Sequence, residues 1–130
     1  MTKKKDSKPE KLLTEVELEL MGILWRLEGG SVNDVLASLS ADRKLAYTSV
    51  STILRILEQK EIIGSRKEGR GHIYFPILTK EKYEAASLHH LVKKVFNGAP
   101  GDLVRRLLET ENLSEEDLKS IRSLLNERLG

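Results

Sequence analysis

The sequence contains no cysteine among its 130 residues. That single absence removes disulfide scaffolds, thiolate metal sites and cysteine nucleophiles. Long apolar runs are missing too. The longest, Leu20 to Trp25, spans six residues, against the ~20 needed to cross a bilayer. Lysines open the chain with no apolar stretch behind them, so neither a signal peptide nor an anchor is expected, and a cytoplasmic location is. No carboxylate pair and no nucleophile–base spacing stands out, so no enzyme is expected. His89 and His90 are adjacent on a predicted helix, where neighbours point about 100° apart; with His72 distant in sequence, no metal site and no cofactor are expected. A chain of this length still buries roughly two-thirds of its unfolded surface, enough for a core without staples.

What is present is unevenly distributed. The net charge of +2 conceals a segregation along the chain. Residues 1–13 carry five Lys against two acids. Residues 14–42 carry one Arg against six acids. Residues 43–70 then carry seven Lys and Arg against three Glu. The remainder balances nine bases with nine acids. One basic window in an otherwise acidic or neutral domain points to a polyanionic partner.

Residues 1–11 show no apolar period and read as a disordered basic tail, either a solubilising leader or an arm for DNA backbone. Thr14 and Glu17 have capping-box spacing, and a helical stripe follows at Val16, Leu20, Ile23, Leu24 and Leu27. Glu15, Glu19, Arg26 and Glu28 read as its solvated face, and Gly29-Gly30 as its stop. A short second helix starts at Ser31, with Val32, Val35, Leu36 and Leu39 as its stripe. The polar stretch 40–45 is a loop.

A third helix is predicted over about Tyr47 to Gln59, with Val50, Ile53, Leu54 and Leu57 toward the core. Thr48, Ser49, Ser51, Thr52 and Arg55 are left on the other faces. Ser and Thr are mediocre helix formers, so this surface is not what solubility alone selects; short side chains let a helix lie close against something. A plain polar face is the alternative. Two short runs around Gly69-Arg70-Gly71 then read as a β-hairpin, with Ile73, Phe75 and Ile77 alternating toward one face. Its tip carries Arg66, Lys67 and Arg70, a pattern that meets phosphates or protects a strand edge.

Three more helices are expected. The first runs from near Thr79 to Asn97-Gly98, with Pro100 after its end, and is lined by Leu88, Leu91, Val92 and Val95 along with Phe96. The second, about Asp102 to Glu109, carries Leu103, Val104, Leu107 and Leu108. The last, from Ser114, carries Leu118, Ile121, Leu124, Leu125 and Leu129. These segments hold over a dozen large aliphatic residues, more than a small neighbouring domain can cover. A second copy is the economical cover, and closed two-fold pairing the commonest symmetry; an intramolecular helical cap is the alternative.

The order of helix, short helix, hydroxyl-rich helix and hairpin is that of a winged helix–turn–helix, whose third helix enters the major groove of a duplex. The fold class expected is therefore mainly α with a small β-hairpin wing. It divides into a winged DNA-binding domain over 12–80 and a helical dimerisation arm over 81–130. The candidate DNA contacts are Arg43 and Lys44 at the start of the basic window, Thr48, Ser49, Ser51, Thr52 and Arg55 on the third helix, and Arg66, Lys67 and Arg70 on the wing. The candidate dimer contacts are Leu88, Leu91, Val92, Val95, Leu103, Val104, Leu107, Leu118, Ile121 and Leu125.

The stretches KLAYTSVSTILRILEQKEII and GRGHIYFPILTKEKYEA, with Trp25, Leu57 and Lys60, resemble the penicillinase and methicillin-resistance repressor family, which also contains copper-responsive repressors. The resemblance runs from about Leu13 to Leu129. It implies a homodimeric transcriptional repressor that occupies a pseudo-palindromic operator in double-stranded DNA. Two departures bear on regulation. The copper-responsive members hold metal through C-terminal cysteines, which this chain lacks. The β-lactam-responsive members are cut between an Asn and a Phe, and Arg106-Leu107 stand at the corresponding positions here. Two other classes remain open on the residues alone. One is a winged-helix module that binds protein, which an apolar third-helix face favours. The other is a regulator that senses a small molecule through a pocket between the two halves.

Overall fold

A computed structural model describes residues 12–130; the basic tail expected over 1–11 lies outside the described residues. The chain forms α1 (Glu15–Leu27), α2 (Val32–Ser38), α3 (Tyr47–Gln59), β1 (Ile63–Glu68), β2 (Gly71–Pro76), α4 (Lys80–Lys94), α5 (Pro100–Thr110) and α6 (Glu115–Leu129). It divides into two compact units at Leu88/His89, inside α4. No described helix is long and apolar enough to cross a membrane.

Three helices start at reciprocal capping boxes: Thr14 with Glu17, Ser31 with Asp34, and Ser114 with Asp117. In each, the cap side chain accepts the N3 amide and the N3 carboxylate accepts the cap amide, satisfying donors that the helix leaves open.

The end of α1 departs from the expected glycine stop. Leu27 is its last residue, and Glu28 takes the left-handed cap conformation at φ 66°. Gly29-Gly30 does other work. Gly30 exchanges two backbone hydrogen bonds with Tyr74, at 2.9 and 2.8 Å, and so lies beside β2 as a one-residue third strand. Gly29, at φ 153°, comes so close that a β-carbon there lies 3.3 Å from the Tyr74 carbonyl oxygen.

The first unit has one apolar core, built from Leu20, Met21, Ile23 and Leu24 of α1, Val32 and Val35 of α2, Val50, Leu54 and Leu57 of α3, and Ile62, Ile63, Tyr74, Leu78 and Tyr83. The hairpin pairs antiparallel in the register Ser65↔Tyr74 and Lys67↔His72. The buried member of β2 is Tyr74; Ile73 and Phe75 are only half-buried, and Ile77, just past the strand, is exposed. The alternation expected at Ile73, Phe75 and Ile77 is real but marks the opposite face. The core takes the aromatic between them, which lies on the same face as the buried Ile63 of β1, while Gly30 pairs with its backbone along the strand edge. On the far face the Phe75 ring lies over Gly64, where a β-carbon falls 2.8 Å from two ring carbons.

Trp25 fastens the start of α4. Its Nε1 donates to the Leu78 carbonyl at 2.9 Å, and its ring lies 5.9 Å from that of Tyr83. The Tyr83 hydroxyl in turn accepts the Leu13 amide at 3.1 Å. The first turns of α4 therefore pack with the winged unit, past the residue-80 boundary expected from sequence.

In the second unit α4 stops at Lys94, a few residues earlier than expected. Asn97 and Gly98 both take left-handed conformations, and the Gly98 amide reaches back to the Val92 carbonyl at 2.8 Å. Pro100 is the first residue of α5 rather than a punctuation after α4, a position where its missing amide costs nothing. Neither α5 nor α6 has a buried residue.

Candidate nucleic-acid interface

α3 presents its core side at Val50, Leu54 and Leu57 and leaves two polar strips. Tyr47, Ser51, Arg55 and Glu58 recur at helical spacing on one strip. Together with Ser31 at the cap of α2, Asn33 within it, and Ser65, Arg70, His72 and Tyr74 of the hairpin, they line one groove. Thr48, Ser49 and Thr52 are exposed beside it. The structure thus brings Ser51, Arg55 and Arg70 together in one concavity, and leaves Thr48, Ser49 and Thr52 on the outer face of the same helix.

The wing residues separate by strand alternation. Directly paired residues share a face. Lys67 therefore lies with His72 on the side of Ser65 and Tyr74, whereas Arg66 pairs with Ile73 on the other side. Arg66 also lies 4.0 Å from Glu68.

Arg43 is engaged elsewhere. Its Nε donates to Glu19 Oε1 at 2.9 Å, tying the loop before α3 to α1. Glu19 is accordingly not part of a free solvated face. Lys44 is exposed.

Inside the groove the Ser65 hydroxyl donates to Glu58 Oε2 at 2.6 Å. Burial pushes the Tyr74 phenol above its ordinary range; the Glu58 carboxylate adds to this and the Arg55 guanidinium opposes it. Tyr47, Asn33, Glu58 and His72 are groove residues that the sequence reading did not single out. The four-residue steps from Tyr47 through Ser51 to Arg55 were a usable signal for the first. Asn33 gave none, because α2 showed only its core stripe.

The candidate dimer residues lie in α4, α5 and α6, except Val95, which follows the last residue of α4. Leu88, Leu91, Val95, Val104, Leu107, Leu118 and Leu125 are exposed, and Val92, Leu103 and Ile121 are half-buried. Arg105 and Arg106 pair with Asp102 and Glu109 along the outside of α5, at 3.6 and 2.9 Å. Among the described residues, no group of three or more His, Cys, Asp or Glu is gathered as a metal site.

The family described as Penicillinase repressor matches residues 13–127. A penicillinase repressor of Bacillus licheniformis is 27% identical over 115 residues, which cover 88% of this chain and 90% of that protein. The transcriptional regulator BlaI of Mycobacterium tuberculosis is 32% identical, covering 76% of this chain and 85% of its own. Among solved structures, the DNA-binding domain of the repressor BlaI aligns at 28% identity with a TM-score of 0.49, over 55% of this chain and 87% of that one.

Proposed function

The chain belongs to the penicillinase repressor family, and from that premise we propose that it is a transcriptional repressor that occupies a pseudo-palindromic operator as a homodimer. It acts by occupancy rather than catalysis, in the cytoplasm where the operator lies.

The observation that carries the reading is the groove shared by α3 and the wing. It puts the Ser51 hydroxyl and the Arg55 guanidinium on the helix wall and Arg70 on the hairpin that forms the other wall, with Thr48, Ser49 and Thr52 exposed beside it. α3 enters the major groove, where Thr48, Ser49, Thr52 and Arg55 meet base edges. Lys67 and Arg70 meet the flanking phosphates, which fix register without reading sequence. The outward face of α3 supports DNA over a protein partner: besides Tyr47, Ile56 is the one large apolar side chain exposed on it.

The second unit supplies the dimer. Helices with this many exposed leucines and no buried residue need a cover, and a second copy of the same helices provides one. Two recognition helices then meet half-sites about one helical turn apart, near 34 Å.

The experiment is selection of a binding site from a random duplex pool, followed by titration at several salt concentrations. A pseudo-palindromic consensus and an affinity that falls steeply with salt are expected. Equal affinity for the selected and scrambled duplexes at every salt concentration sinks the proposal.

A further inference from the structure

We infer that Ser65 and Glu58 form a latch that sets the angle of the hairpin against α3, so that one duplex meets the base-reading helix and the wing together. The inference rests on the DNA-binding reading above. Ser65 is the positioning residue; it acts through the wing and touches no base.

The latch explains a carboxylate in an unfavourable place. A negative side chain in a groove built for a polyanion repels phosphates, and a neutral residue at position 58 avoids that cost. Glu58 nonetheless lines the groove. It sits one turn after Arg55, a spacing at which opposite charges commonly pair, yet Arg55 pairs with no carboxylate among the described residues. Ser65 takes the carboxylate instead, at 2.6 Å, the short distance of a charge-assisted bond. The arrangement keeps the Arg55 guanidinium available to DNA and spends the carboxylate on geometry.

The place of the bond in the hairpin gives it leverage. The base of the hairpin is held by backbone: the Ile62 amide donates to Leu57, the Ile77 and Leu78 amides donate to Ile62, and Gly30 brackets Tyr74. Beyond Ser65, residues 66–72 are all exposed. Among the described residues, the Ser65–Glu58 bond is the one side-chain hydrogen bond between α3 and the hairpin. From Ser65 to Gly69 is about 13 Å of strand, so a swing of about 15° moves the tip about 3 Å. That displacement is the difference between a phosphate contact at Arg70 and none.

The test uses the full chain and the duplex selected as above. Ser65→Ala is expected to weaken binding about tenfold and to make the dependence of log K on log salt shallower by about one contact. Ser65→Thr, which keeps the hydroxyl, restores both. In an Arg70→Ala background, Ser65→Ala costs less than about twofold, because the contact it positions is already gone. Melting temperatures measured alongside separate this from destabilisation, which lowers the melting point and leaves the salt slope unchanged. Wild-type affinity and slope for Ser65→Ala overturn the latch. So does a loss that threonine does not restore, or a full tenfold loss that persists in the Arg70→Ala background. A wild-type protein that prefers no duplex overturns the DNA-binding reading itself, and the latch with it.

Discussion

Glu17 joins the start of α1 to the end of α3: its Oε2 accepts from Lys60 Nζ at 3.2 Å while its Oε1 accepts the Thr14 amide at 2.9 Å. One carboxylate thereby closes a helix cap and links two helices 43 residues apart in sequence. Burial raises its pKa, but the Thr14 amide and Lys60 outweigh burial, and the carboxyl titrates below its ordinary range.

The sign of the pH effect follows. A depressed folded-state pKa adds stability that is present above the unfolded carboxylate range and is lost as pH falls through the folded value. Glu17→Gln keeps a cap acceptor and removes the charge. Lys60 is half-exposed, so the expected loss at neutral pH is only about 1 kcal/mol. Denaturant melts across pH should show the gap between wild type and Glu17→Gln closing on the acid side. A gap that widens below pH 4 contradicts the assignment.

Base reading and phosphate positioning should separate by mutation. Arg55→Ala and Thr52→Ala should relax base preference and cost roughly 1–3 kcal/mol where each makes a good base contact. Arg70→Ala should weaken all duplexes alike and flatten the salt slope. Competition binding with single-base variants of the selected site checks both. An altered preference for Arg70→Ala with none for Arg55→Ala would reverse the roles of helix and wing.

Leu107, exposed on α5, tests the dimer in the intact chain. Leu107→Asp puts a charge on the surface proposed to meet its copy. Sedimentation at micromolar concentration should show wild-type dimer and variant monomer. Operator affinity should fall at least tenfold, since two linked half-site contacts act at high effective concentration. A truncation is better placed after Leu88 than before Tyr83, which packs on Trp25. A wild-type monomer at that concentration removes the two-fold reading.

Gly64 has no room for a side chain. Gly64→Ala drives a β-carbon to 2.8 Å from the Phe75 ring, and the ring must shift, at an expected cost of about 1–2 kcal/mol. Phe75→Leu in the same chain should recover part of it. Thermal melts of the two single variants and the double variant check this; additive losses would show that the two side chains do not meet.

The elements that sequence determined are those held by partners within a turn. The Thr14–Glu17, Ser31–Asp34 and Ser114–Asp117 boxes each close over three residues, and all three starts were legible in the sequence, the first from its box spacing. So was the span of α3, whose apolar period has no competitor. Tertiary structure decided whatever depends on distant partners. Which face of β2 meets the core, and so buries Tyr74 rather than its apolar neighbours, was set by packing with distant elements, and the backbone of Tyr74 is bonded by Gly30 from far back in the chain. Arg43 was drawn from the basic window by Glu19, 24 positions away. Trp25 found its acceptor 53 residues on, at Leu78. The groove exists because the hairpin folds back beside α3 and Ser65 meets Glu58 across it. Periodicity reports which side of an element is apolar; it does not report what approaches that side, and hydrogen-bonded partners across a fold leave no period to read.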